Sequence, residues 1–149
     1  MIAFAATDIR QGLVIDSSIV LAWHFPDEAS DYARAAATET ALSRTIVPFH
    51  WKLETANALT MGVRRNRINS ADRAQAFVDI DDLEVTQDTQ GLNRIWPFAI
   101  EIADRNRLTL YDALYVELAQ RTGSRLATLD KAMKNAALAE GISPFEPYL

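Results

Sequence analysis

Four carboxylates fall where an α/β protein does its chemistry. Asp16 ends the apolar run Leu13-Val14-Ile15, and Asp130 follows Ala127-Thr128-Leu129. Asp112 lies in the first turn of a helix that Thr109 is placed to cap. Glu54 stands within a helix that carries Trp51, Leu53, Ala56, Leu59 and Val63. Open α/β sheets bind their ligands beyond the C-terminal ends of the strands, which is where Asp16 and Asp130 would lie. With no Cys and only 2 His in the chain, four acids make a hard, oxygen-only ligand set. Such a set suits Mg²⁺ or Mn²⁺ better than zinc. A divalent ion held that way activates a water and stabilises charge developing on a phosphate.

Each acid also has a plain structural use. Asp16 and Asp130 fit as N-caps of the helices that follow them. Thr109-Leu110-Tyr111-Asp112 has the capping-box pattern, in which the fourth residue reaches back to the cap amide. Glu54 shares its helix face with His50, Asn57 and Ala58. An exposed helix glutamate would account for it, but a buried one needs a partner or a cation. The four acids come from separate segments, and three of them map to one rim of a sheet. That coincidence favours a shared site.

The elements that must position these acids alternate between strand-like and helix-like runs, which points to a mainly parallel sheet. Strands are expected over 12–15, 45–47, 83–86 and 125–128. Helices are expected from Ser17 to Phe25, closed by Pro26, and from Glu28 to Leu42. The next starts near Pro48, and another runs from Ala71 to Ile80 with Ser70 as its cap. A further helix opens at Thr89 or Gln90 and ends near Asn106, with Pro97 kinking it or marking its true start. The last two run from Thr109 to Thr122, stopped by Gly123, and from Asp130 to Gly141. The tail from Ser143 onward offers an edge strand.

The chain has 149 residues, 49% of them hydrophobic and 23% charged, the composition of one globular domain over 1–149. Residues 1–11 read as a loose leader, because no basic region precedes their apolar stretch as a signal peptide requires. No apolar run reaches the ~18 residues that a membrane span needs. Without Cys there are no disulfides, thiolate zinc sites or thiol nucleophiles, which is consistent with a cytoplasmic protein. The balance of 15 Lys+Arg against 20 Asp+Glu gives a net charge of −5. That argues against coating nucleic acid by bulk attraction. It leaves room for a nuclease whose acids hold metal.

The segments Val14-Ile15-Asp16-Ser17-Ser18, Leu53-Glu54-Thr55-Ala56-Asn57-Ala58-Leu59, Leu108-Thr109-Leu110-Tyr111-Asp112-Ala113-Leu114-Tyr115 and Leu126-Ala127-Thr128-Leu129-Asp130 occur in the order and spacing of the PIN domain. More narrowly, the chain resembles VapC-type toxins, the ribonucleases of type II toxin–antitoxin pairs, from Leu13 to about Pro144. The resemblance implies an α/β/α sandwich with a mainly parallel central sheet. It also implies a metal-dependent endoribonuclease that uses Mg²⁺, with Mn²⁺ as a substitute, and leaves a 5′-phosphate and a 3′-hydroxyl. Asp16 and Asp112 match the positions most directly tied to the metal, and Glu54 and Asp130 match the other two acids. Ser17 and Thr128 match hydroxyl positions beside the site, and Asn57 the Asn that follows the Glu. An RNA substrate, a cognate antitoxin and a homodimer are the implied partners. Relatives begin almost directly at the first strand, so the leader departs from the pattern.

Other residues carry two readings. Arg64, Arg65 and Arg67 either cap the C-terminus of the Glu54 helix or contact phosphates beside the rim. Lys131 and Lys134 offer the same choice. Trp23, Trp51 and Trp96 fit core or interface packing better than base stacking. Two histidines can serve as general acid and base in metal-free RNA cleavage, but the aromatic neighbours of His24 and His50 favour packing. Two rival functions remain. One is a phosphatase of the haloacid dehalogenase type, which wants a second Asp where Ser18 stands. The other is a non-catalytic PIN-like interaction module, which would be expected to have lost acidic positions.

Overall fold

The protein is described by a computed structural model over residues 11–147. The expected leader, apart from Gln11, and residues 148–149 lie outside the described residues. Four short strands, β1 (Leu13–Ile15), β2 (Thr45–Val47), β3 (Val85–Gln87) and β4 (Arg125–Ala127), form one sheet in the order β3-β2-β1-β4. Every pairing is parallel, with Leu13 opposite both Thr45 and Arg125. β1 is apolar throughout and fully buried, as a central parallel strand covered on both faces must be. β3 is an edge strand and is partly exposed.

Seven α-helices are present among the described residues: α1 (Ser17–His24), α2 (Asp31–Leu42), α3 (Trp51–Arg64), α4 (Ser70–Asp81), α5 (Ile100–Asn106), α6 (Leu110–Thr122) and α7 (Lys131–Ala139). α1 packs against α2, α3 and α4, while α6 packs against α5, α7, β1 and β4. The result is an α/β/α sandwich, as expected. Residues Ala113 to Ala119 of α6 are all buried, because helices and sheet surround this helix. Leu13, Ile15, Ile19, Leu59, Tyr115, Leu118 and Leu126 form the centre of the core. α3 meets the end of α1 at Gly62, where a Cβ would stand 2.5 Å from the Phe25 ring. Only glycine allows that approach.

Several boundaries differ from the sequence reading. Asn69 rather than Ser70 caps α4, accepting from Asp72 N–H at 2.7 Å. Asp72 completes the box by accepting from Asn69 N–H at 3.0 Å. The helix expected from Glu28 is split. A 3₁₀ turn over Pro26–Glu28 precedes α2, which starts at Asp31 with Ser30 as its cap. α3 starts at Trp51, three residues after Pro48, with a turn between them. The single helix expected from Gln90 is three pieces: a 3₁₀ turn over Gly91–Arg94, a π-helical turn over Ile95–Ala99, and α5. Pro97 sits in the π turn, where its missing N–H is accommodated by a wider coil. The tail adds only a parallel bridge between Pro144 and Leu126. Ser143 and Phe145 make its hydrogen bonds, so Pro144 has no N–H to lose.

Candidate active site

The chain leaves β1 toward β2 and returns to β4 on the other side of β1. The crevice of such a sheet opens between these two strands, at their C-terminal ends. Asp16 follows β1 there and is buried, with 3% exposed. Its Oδ1 accepts from Ser18 Oγ at 2.5 Å and Ile19 N–H at 3.3 Å, and its Oδ2 from Thr128 Oγ1 at 2.6 Å. The same hydroxyls tie down the loop after β4. Ser18 Oγ accepts from Leu129 N–H, and Thr128 Oγ1 from Asp130 N–H, each at 3.0 Å. Ser18 therefore serves Asp16 as a donor at the position where a phosphatase of the rival class wants a carboxylate. Asp16 is the N-cap of α1 and also a candidate site residue.

Burial is the main cause that lifts the Asp16 carboxyl to about 6. The bonds from Ser18, Thr128 and Ile19 oppose it, and the charge of Asp112 adds to it. Asp112 is half-buried at the start of α6. Only the forward half of the expected capping box forms, with Thr109 Oγ1 accepting from Asp112 N–H at 3.2 Å. Its carboxyl is raised, chiefly by burial, then by Asp130 and also by Glu54. Asp130 is exposed and caps α7 through Met133 N–H at 2.8 Å.

Glu54 is held from two sides. Tyr115 Oη donates to its Oε1 at 2.6 Å, and His50 Nε2 lies 3.4 Å from the same oxygen. His50 Nε2 also lies 3.0 Å from the carbonyl oxygen of Tyr111. That carbonyl can only accept, so Nε2 carries the proton. The His50 ring packs 4.9 Å from Tyr115 and 5.5 Å from Phe49. Burial is the main cause that keeps its pKa below the usual imidazole range, so the ring is neutral at neutral pH. His50 and Tyr115 join the site without having been assigned to it from sequence. The signal was available for His50, which lies one helical turn before Glu54 on the same face. Tyr115 lies 61 residues away from Glu54, and helical spacing could not reveal it.

Asp112 thus lies within electrostatic reach of Asp16, Asp130 and Glu54. Among the described residues no three acids or imidazoles stand close enough to share an ion in this arrangement. The donor set still fits a hard divalent cation, because all four side chains are carboxylates and their mutual repulsion is what a cation relieves.

The basic and aromatic residues divide. Arg67 pairs with Asp27 at 2.9 Å and Glu28 at 2.7 Å, and its guanidinium lies 4.0 Å from the Phe25 ring centroid. It is a structural clamp. Arg64 and Arg65 make no ion pair among the described residues. Lys134 sits over the Tyr32 ring at 4.6 Å. Trp51 is buried and Trp23 donates to Ala33 O at 2.7 Å, whereas Trp96 is 81% exposed. His24 and His50 share no contact among the described residues.

The comparisons with known proteins agree with this fold. Residues 13–138 match the PIN domain. Ribonuclease VapC3 of Pyrobaculum aerophilum is 26% identical over 121 residues, covering 81% of this chain and 91% of that protein. The crystal structure of PAE2754 from Pyrobaculum aerophilum has the same fold, with a TM-score of 0.60 at 22% identity over 85% of this chain and 84% of that one. The match spans all four strands and all four acids, and on it the chain is a member of the PIN domain family.

Proposed function

We propose that this chain is a metal-dependent endoribonuclease and the toxin of a toxin–antitoxin pair, acting in the cytoplasm. One observation carries the reading. Three carboxylates from three other segments, Asp16, Glu54 and Asp130, lie within electrostatic reach of Asp112 at the crevice of the sheet. Family membership and the similarity to a protein named as a ribonuclease support it. Asp16, Glu54, Asp112 and Asp130 would hold one or two Mg²⁺ ions, which supply an activated water and neutralise charge on the phosphodiester. The chain's own groups prepare that site. Ser18, Thr128 and the Ile19 amide fix both oxygens of Asp16. Tyr115 and His50 fix Glu54.

The partners follow the same reading. The antitoxin places a cationic side chain among the four acids, since an Arg guanidinium pairs with two carboxylate oxygens at once. A homodimer is proposed to form on Leu92, Trp96, Phe98 and Ile100, which expose 64, 81, 43 and 37% of their area on one short stretch. The face of α3 that carries Trp51, Thr55, Leu59 and Gly62 is buried in the protomer and offers no such surface. The deciding experiment is cleavage of RNA by purified protein with Mg²⁺, with chelator, and with Asp112→Asn. Cleavage only by the wild type with metal is expected. A folded Asp112→Asn protein that cleaves at the wild-type rate refutes the assignment.

A further inference from the structure

Beside the carboxylates the surface opens into a cleft of about 430 Å³ lined by Leu53, Glu54, Asn57 and Tyr111. Leu53 is 73% exposed and Tyr111 62% exposed, an unusual state for two large apolar side chains that flank acids in sequence. Leaving them exposed forgoes the gain that burial would bring. Glu54 is at once a wall of this cleft and a member of the acidic site, so whatever fills the cleft abuts the reacting phosphate.

Its chemistry is that of a nucleobase slot. Tyr111 offers an aromatic ring on which any base stacks, and Leu53 an apolar surface. Asn57 offers an amide donor and acceptor for a base edge, and no hydrogen bond engages that amide among the described residues. The platform is also fixed in place. The Tyr111 carbonyl is held at 3.0 Å by buried His50, and the two rings lie 6.0 Å apart. The backbone is anchored while the phenol faces outward. Along α3, Asn57 lies one turn after Leu53 and Arg64 two turns after Asn57, so a cation without an ion pair lies further along the same helix.

We infer that this cleft binds the nucleobase adjoining the scissile phosphate of single-stranded RNA, with Tyr111 as its stacking platform and Asn57 reading its edge. The inference rests on the ribonuclease reading of the site and adds the determinant of which bond is cut. An apolar side chain of a protein partner fills the same volume but leaves the free amide of Asn57 unpaired.

The experiment compares wild type, Tyr111→Ala, Tyr111→Phe, Tyr111→Leu and Asn57→Ala on single-stranded RNA oligonucleotides. Steady-state cleavage, end mapping of the products and light scattering are read for each. Stacking predicts about a five-fold or larger rise in KM for Tyr111→Ala, since each stacked base contributes about 1–3 kcal/mol. Tyr111→Phe restores KM and Tyr111→Leu does not. Asn57→Ala relaxes the base preference in the product ends. The Mg²⁺ concentration for half-maximal rate stays unchanged in Tyr111→Ala. Wild-type KM and product ends in Tyr111→Ala overturn the inference while leaving the ribonuclease reading intact. So does rescue by Tyr111→Leu equal to that by Tyr111→Phe, which would mean packing alone. A changed molar mass with unchanged KM assigns the cleft to a second copy of the chain and likewise overturns it. Wild-type protein that cleaves no RNA overturns both readings.

Discussion

Asp16→Asn should make the metal-free protein more stable while removing its activity. The carboxyl is raised from 3.8 to about 6, mainly because it is buried. A rise of that size corresponds to about 3 kcal/mol that the ionised group costs the fold at neutral pH. The sign follows from which form the folded state prefers. The folded chain holds the Asp16 proton more tightly than the unfolded chain does. The stability this contributes is complete below about pH 4 and is lost as the pH rises through about 6. Asparagine removes the charge and keeps an acceptor for Ser18 and Ile19. Its NH₂ group then faces Thr128 Oγ1, which must accept rather than donate. Thr128 Oγ1 already accepts from Asp130 N–H at 3.0 Å, so about 1–2 kcal/mol is given back. The net gain is about 1–2 kcal/mol, or roughly 2–8 °C in Tm for a chain of this size. Thermal and urea unfolding in chelator would measure it at about pH 7.5 and about pH 4. The gap should vanish or reverse at the lower pH, where the cost of ionising Asp16 is gone, and should shrink at the higher pH when Mg²⁺ binds the wild type. An Asn variant less stable than wild type in chelator at neutral pH, or a gap equal at both pH values, refutes the reasoning.

Tyr115→Phe removes one oxygen, the donor 2.6 Å from Glu54. It should raise the Mg²⁺ requirement about ten-fold or more, as loss of a group that orients a ligand does. Far-UV circular dichroism should stay native; an unchanged metal titration would deny Tyr115 a role in positioning Glu54. Arg121→Met should destabilise by about 3–5 kcal/mol. Arg121 makes a two-pronged pair with Asp88 at 2.8 and 3.1 Å and a bond to buried Glu117 at 2.9 Å. Its loss leaves Glu117 to Arg94 alone, and urea midpoints report the cost. Trp96→Lys should turn a dimer into a 16.6 kDa monomer in light scattering, and a wild type that is already monomeric at tens of micromolar removes the proposed interface.

The sequence was most informative where one short segment sets both an element and a site. Asp16, Thr109 and Asp130 are helix caps, and caps are read from residue type and position alone. For Asp16 and Asp130 the structural use and the proposed site role do not compete, because the N-terminus of a helix that follows a parallel strand lies at the rim where open α/β sheets bind ligands. The misses have the opposite character. Ser70 and Asn69 are both good caps, and only the reciprocal bonds with Asp72 decide between them. The π turn at Pro97 depends on what packs around it, because a proline in a helical run is compatible with a kink, a start or a wider coil.

The largest gap is Glu54. Its carboxylate sits mid-helix without a cap to hold it, and its geometry depends on α6, a distant part of the chain. Tyr115 reaches it from within the most buried helix of the protein, and His50 links it to the Tyr111 carbonyl next to Asp112. Glu54 and Asp112, from different helices, are therefore coupled through His50 as well as through their charges. A substitution at His50 should then disturb both acids, whereas one at Ser18 disturbs the Asp16 side of the site. His50→Gln tests this. Its amide can still donate to the Tyr111 carbonyl but lacks a ring to pack on Tyr115. It should depress cleavage more than Tyr115→Phe does, because it loosens two carboxylates instead of one. Equal or smaller loss in His50→Gln would show that Glu54 and Asp112 are positioned independently.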